Sequence, residues 1–190
     1  MRMRREEPCE TIAVTVTFLR METPPYVVGP AIPAAARMER VTSPTVGFYR
    51  YLYNNVGADY VWWLRRITPD AELAQLLDDP SVEIHVLYMD GEPAGFFELD
   101  ARYAGTVNLS YFGLLPHVIG TGVGPAFLRQ AIDAAWRIGP RIVTVNTCTA
   151  DHPRALPNYL RAGFKPIRSV QEIWDVPMHL GMRIPDHLRV

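Results

Sequence analysis

The stretch Leu114–Leu128, LLPHVIGTGVGPAFL, limits the folds open to this chain more than any other. A hydrophobic run from Thr106 to Leu115 leads into it, and Pro116 ends that strand because its ring removes a backbone donor. Gly120, Gly122 and Gly124 then alternate, Pro125 follows, and Ala126–Arg137 has helical periodicity. A strand therefore hands over to a helix across a run of glycines. The first turn of a helix has unpaired N–H groups, and glycine has no Cβ to hold a ligand off the backbone. With the positive end of the helix dipole these amides form an anion site. The dipole contributes only about 0.3–1 kcal/mol, so selectivity rests on several N–H groups converging on phosphate oxygens. The loop reads as a pyrophosphate cradle; the alternative is a tight turn and nothing more. A P-loop would need Lys-Ser or Lys-Thr where Pro125-Ala126 stand, and a dinucleotide fingerprint would need a glycine at Pro125.

Around this hand-over the period of the hydrophobic pattern changes along the chain. Residues 1–10 are charged and read as a solvated, frayed leader. Thr11–Met21 alternates and is rich in β-branched residues, the pattern of a strand. Thr23–Pro33 holds four prolines and a glycine, which suits an irregular crossing segment. Thr42-Ser43-Pro44 predicts a helix start, with the helix ending at Asn54-Asn55 and Gly57. A short helix is expected over Asp59–Arg66, and Thr68-Pro69-Asp70 opens a third with Leu73, Leu76 and Leu77 on one face. From there the period falls to two. Val82–Met89, an Asp90-Gly91 turn, Pro93–Asp100 and Thr106–Leu115 predict a three-stranded meander. In the helix after the loop, Phe127, Leu128, Ala131, Ile132, Ala135 and Trp136 form a stripe that faces the sheet. Arg141–Cys148 reads as a strand buried on both faces, residues 152–162 as a helix stopped by Gly163, and Phe164–Trp174 as a last strand. Pro177–Val190 has no clear pattern. The order predicts one domain over 11–190, a mixed α/β sandwich with helices covering a central sheet.

Composition removes several function classes. Apolar residues make up 48% and charged ones 21%, a soluble globular balance. A net charge of −1 and a pI near 6.5 argue against nucleic acid or an anionic membrane as partner. The two cysteines, Cys9 and Cys148, make no disulfide framework, and neither has metal-ligand spacing. No apolar run has membrane-spanning length, and no signal-peptide core follows the charged start, so a cytoplasmic location is expected.

Two segments are similar to the GCN5-related N-acetyltransferase (GNAT) family. LLPHVIGTGVG resembles its strand–Pro–(Arg/Gln)-x-x-Gly-x-(Gly/Ala) signature, with Gly122 and Gly124 at the two small positions and Ile119 where Arg or Gln is usual. DHPRALPNYLRAGF resembles its Asn-x-x-Ala-x-x-x-Tyr-x-x-x-Gly-Phe, with Ala155, Tyr159, Gly163 and Phe164 in register and His152 in place of the Asn. The likeness covers roughly Ser81 to Trp174. It implies a mostly antiparallel sheet flanked by helices, with two strands splayed into an acetyl-CoA cleft. It also divides the domain into an acceptor-side segment, about 22–80, and a CoA-binding core, about 81–174. Acetyl-CoA is the implied co-substrate and an amine the implied acceptor, with no metal; a homodimer is a further implied partner. The implied cofactor contacts are Leu114 and Leu115 at the strand end, Ile119, Gly120, Thr121, Gly122, Val123 and Gly124 in the loop, and Asn146, Ala155 and Tyr159 beyond it.

Acyl transfer from a thioester to an amine makes three demands. The amine must lose a proton, which for a lysine-like group costs about 4–5 kcal/mol at pH 7. The developing oxyanion needs a donor, and the leaving thiolate needs a proton. Tyr159 matches the family's general-acid tyrosine in register; otherwise it is an aromatic that holds its helix on the sheet. The base is less plain, because Thr106–Leu115 contains no carboxylate. Glu98, with Asp100 nearby, is the candidate, the alternative being a strand-end carboxylate in solvent. Asn146 lies in an apolar strand, so its amide should have partners in the pantetheine, the acceptor or a structural network. Cys148 with His152 four residues on offers a thiol nucleophile as a minor alternative. Phe48, Tyr49, Tyr51, Tyr53, Tyr60, Trp62 and Trp63 should supply core, and one or two of them an acceptor wall. The expected function is acetyl-CoA-dependent N-acetylation by direct attack in a ternary complex. A non-catalytic acyl-CoA-binding or sensing domain of the same fold is the alternative.

Overall fold

The alternation at the start of the chain makes β1 (Cys9–Met21), in which Ile12, Val14 and Val16 are buried while Thr11 and Thr15 face out. The structure is a computed structural model that describes residues 7–190. After β1 come β2 (Ala36–Val41), α1 (Val46–Val56), α2 (Leu64–Ile67), α3 (Asp70–Asp78), β3 (Val82–Met89) and β4 (Glu92–Asp100). The second half adds β5 (Thr106–Leu114), α4 (Val123–Arg137), β6 (Ile142–Cys148), α5 (Ala155–Arg161) and β7 (Lys165–Pro177). The seven strands form one sheet in the order β2-β3-β4-β5-β6-β1-β7. Every neighbouring pair is antiparallel except β5 and β6, so the mixed, mostly antiparallel sheet expected from the sequence is present.

Helices cover both faces. Phe97 and Leu99 of β4 pack with Phe127, Leu128, Ala131 and Ile132 of α4, while Phe96 faces α1 and α3 with Tyr49, Leu52, Leu73 and Leu77. The α4 stripe is buried as expected from Phe127 to Ala135; Trp136 is only partly buried and donates from Nε1 to Met21 Sδ at 3.4 Å. On β1 the residues Ile12, Val14 and Val16 are covered by Ile184 and Leu188, so the unassigned C-terminal segment is part of the core.

Several boundaries differ from the sequence expectation. Of the charged leader, residues 1–6 lie outside the described residues, and Cys9 and Glu10 belong to β1. Strand β2 was not expected: its Arg37, Glu39 and Arg40 give it a polar pattern, which an edge strand tolerates. Helix α1 starts at Val46 instead of near Pro44, because Ser43 adopts φ 50 and Thr45 is the cap, its Oγ1 accepting from Phe48 N at 3.2 Å. The helix expected over Asp59–Arg66 is a turn followed by α2, with Val61 at φ 54 breaking the run. Strand β6 is buried on one face only, and its other face opens into a cleft.

Candidate functional site

The parallel pair that joins the two halves of the sheet is short. Strands β5 and β6 are in register from Thr106↔Ile142 to Leu109↔Val145 and then part. The backbone groups of Ser110–Leu114 on that side therefore have no strand partner, and exposed main chain of this kind accepts an extended ligand as a further strand. The gap is a cavity of about 1320 Å³. Leu114, Ile119, Gly120, Gly122, Gly124, Asn146, Ala155 and Tyr159 all line it, so most of the residues expected from the sequence come together.

At one end lies the glycine loop. Gly120 and Gly122 have φ of 89° and 88°, and a Cβ on either would meet nothing within 4 Å, so the space beside both is open. The loop amides are not equivalent. Ile119 N–H donates to Pro116 O at 3.3 Å and Thr121 N–H to Val118 O at 3.3 Å. Among the described residues the N–H groups of Gly120, Gly122, Val123 and Gly124 have no such partner. The amides of Ile119 and Thr121, also expected in the cradle, are thus used within the loop itself. Arg154 and Arg161 of the α5 region line the same cavity and add positive charge. Leu115, also expected in the site, is placed outside it: its side chain is buried with α1 and α3, and its N–H donates to Ala94 O at 2.8 Å.

Tyr159 reaches the middle of the cleft from α5. Its ring is buried against Phe112 and Phe164, with centroids 6.5 and 5.9 Å away. Among the described residues its hydroxyl makes no hydrogen bond, and the side chain lines the cavity. Burial, reinforced by the Asp151 carboxylate, pushes the phenol well above its usual range, so it remains protonated. Asn146, expected to be enclosed, is exposed on the open face of β6.

Glu98 is placed beneath the cleft instead of in it. Its side chain is 0% exposed, with Oε2 accepting from the Tyr49 hydroxyl at 2.5 Å and Oε1 from Arg65 Nη2 at 2.9 Å. Burial pushes its carboxyl upward, and Arg65 and Tyr49 offset this only in part. A carboxylate held this way positions Arg65 and is not free to meet an amine. Asp151, just beyond β6, places a carboxylate on the cleft wall, and the sequence reasoning missed it. Its Oδ1 accepts from Trp62 Nε1 at 3.2 Å, and its Oδ2 accepts from Thr147 Oγ1 at 2.7 Å and from Cys148 N at 2.9 Å. A carboxylate immediately past the C-terminal end of a central strand was the available signal. Cys148 lies partly buried in the same wall, and burial together with Asp151 pushes its thiol up to about 12, a poor nucleophile. Among the aromatics, Tyr49 is core, Tyr51 is exposed, and Tyr53, Tyr60, Trp62 and Trp63 line the cavity. No group of three or more metal-ligating side chains occurs among the described residues, and no helix is long and apolar enough to cross a membrane.

The profile of the acetyltransferase (GNAT) domain matches residues 52–182. No curated protein matches the sequence. Among solved structures, a GCN5-related N-acetyltransferase from Kribbella flavida is 18% identical with a TM-score of 0.60, over 92% of this chain and 63% of its own. A tandem GNAT protein from the clavulanic acid biosynthesis pathway is 16% identical with a TM-score of 0.61, over 89% and 55%. An aminoglycoside acetyltransferase from an uncultured soil metagenomic sample is 15% identical with a TM-score of 0.55, over 68% and 88%. At these identities the likeness is one of fold. This chain spans 63% and 55% of the length of the first two. With a family profile running from α1 through β7 to the C-terminal segment, the chain belongs to the GNAT acetyltransferase family.

Proposed function

We propose that this chain is an acetyl-CoA-dependent N-acetyltransferase that transfers the acyl group to a primary amine by direct attack in a ternary complex. One observation carries the proposal. The loop residues Gly120, Gly122 and Gly124, whose amides are unpartnered, the Tyr159 phenol and the Asp151 carboxylate line a single cleft between two parted strands. The residues fit the co-substrate: the amides and Arg154 and Arg161 suit its phosphates, and the unpaired edge of β5 suits its amide-bearing arm. Bound acetyl-CoA supplies a thioester, whose C–S bond breaks as the amine nitrogen forms a C–N bond. Asp151 accepts the proton that the amine loses, directly or through one water. Tyr159 donates its hydroxyl proton toward the departing sulfur and regains one from solvent.

Thiol release from acetyl-CoA tests this, with a panel of primary amines as acceptors. Tyr159→Phe is expected to lower kcat by about 10²-fold or more while changing acetyl-CoA affinity by less than about twofold. Asp151→Asn should lower kcat/KM by a similar factor. Turnover equal to the native protein's in both variants overturns these assignments. Acetyl-CoA binding with no thiol release for any amine identifies a non-catalytic binding domain instead.

A further inference from the structure

The acceptor end of the cleft holds a cation whose donors are mostly unused. Arg65, on α2, lines the cavity with its side chain 21% exposed. A guanidinium has five N–H donors, and of these Nη2 gives one bond to Glu98. Arg65 Nε is buried with no partner, and no group among the described residues accepts from Nη1. Tyr49 also donates to Glu98, so the carboxylate's charge is shared between Tyr49 and Arg65. The guanidinium is held in place, with Cζ 5.4 Å from the centroid of the Tyr111 ring.

An aromatic wall runs from this cation to Asp151. The ring of Tyr111 lies 5.0 Å from Tyr53 and 5.0 Å from Trp62, and Trp62 Nε1 donates to Asp151. One cavity thus carries a positive group and a negative group beside packed aromatic rings. A polycationic acceptor is poorly matched, because among the described residues Asp151 and Glu172 are the only acidic ones lining the cavity, against Arg65, Arg154 and Arg161.

We infer that the acceptor is a zwitterion, an amino acid with an apolar or aromatic body. Its carboxylate pairs with Arg65, its amine meets Asp151, and its body lies on Trp62 and Tyr111. This rests on the N-acetyltransferase reading and names its acceptor class. A guanidinium whose Nη1 has no partner binds a carboxylate through charge-assisted bonds, which an amide or a missing carboxyl cannot replace.

The test compares acceptors that differ only in the carboxylate: L-phenylalanine with L-phenylalaninamide, and 4-(aminomethyl)benzoate with its amide. Thiol release is expected to favour the acid by about tenfold or more in kcat/KM in at least one pair. Arg65→Gln should bring that ratio close to one. Because the ratio is taken within each variant, a partly folded preparation does not distort it. Equal or better use of the amide in both pairs overturns the inference, as does transfer only to amines without a carboxylate, such as spermidine. A ratio that Arg65→Gln leaves unchanged also overturns it. Failure of the underlying reading is distinct: acetyl-CoA would then release no thiol with any amine.

Discussion

Replacing Gly122 by alanine separates a loop that only turns from a loop that holds an anion. Gly122 caps α4 at φ 88°, where an L-residue costs about 1–2 kcal/mol. A domain of this length loses about 2–4 °C in Tm per kcal/mol, so the variant should melt about 2–8 °C lower. Gly139, just past the same helix, sits at φ 84° and, like Gly122, has nothing within 4 Å of an added Cβ, but it is not part of the cleft wall. Gly139→Ala should therefore show the same loss of stability. The two variants should differ in ligand binding. At position 122 the methyl enters the open space beside the loop on the cleft wall. Losing one charge-assisted hydrogen bond weakens acetyl-CoA binding by about 1.5–3 kcal/mol, or about ten- to 150-fold. Gly139→Ala should bind acetyl-CoA as the native protein does. Calorimetric titration of the three proteins, with a thermal melt of each, checks this. Equal affinity in Gly122→Ala and Gly139→Ala, at matched loss of stability, refutes the phosphate site.

Two further outcomes follow from the buried groups. Iodoacetamide at pH 8 should modify Cys9, which is exposed, and leave Cys148 unmodified, because a thiol near 12 is almost wholly protonated there; labelling of Cys148 at a comparable rate, read by peptide mass, refutes the assignment. Glu98→Gln breaks a buried ion pair and leaves Arg65 without its partner, so urea unfolding should show a loss of about 3–5 kcal/mol, and a loss below about 1 kcal/mol would show that the pair does not hold α2 to β4.

Local chemistry carries much of this protein. The glycine loop, the meander β3-β4-β5 and the stripe on α4 are written in turn residues, in period-two alternation and in helical spacing, and each can be recognised without knowing its neighbours. The motif around Tyr159 belongs with them, because Ala155, Tyr159 and Gly163 are spaced by one helix and its stop. Strand β2 was hidden because an edge strand needs few apolar residues, and Ser43 and Val61 broke expected helices by adopting positive φ. The division of roles among the acids depended wholly on tertiary contacts. Glu98 and Asp151 both look available in the sequence, yet Tyr49 and Arg65 enclose the first, while the end of β6 holds the second on the cleft wall. Arg65 likewise acquires its place only when α2 folds over Tyr111. Periodicity and turn chemistry are properties of neighbours in the chain. Which carboxylate meets the cleft is decided by burial, and burial is set by residues dozens of positions away.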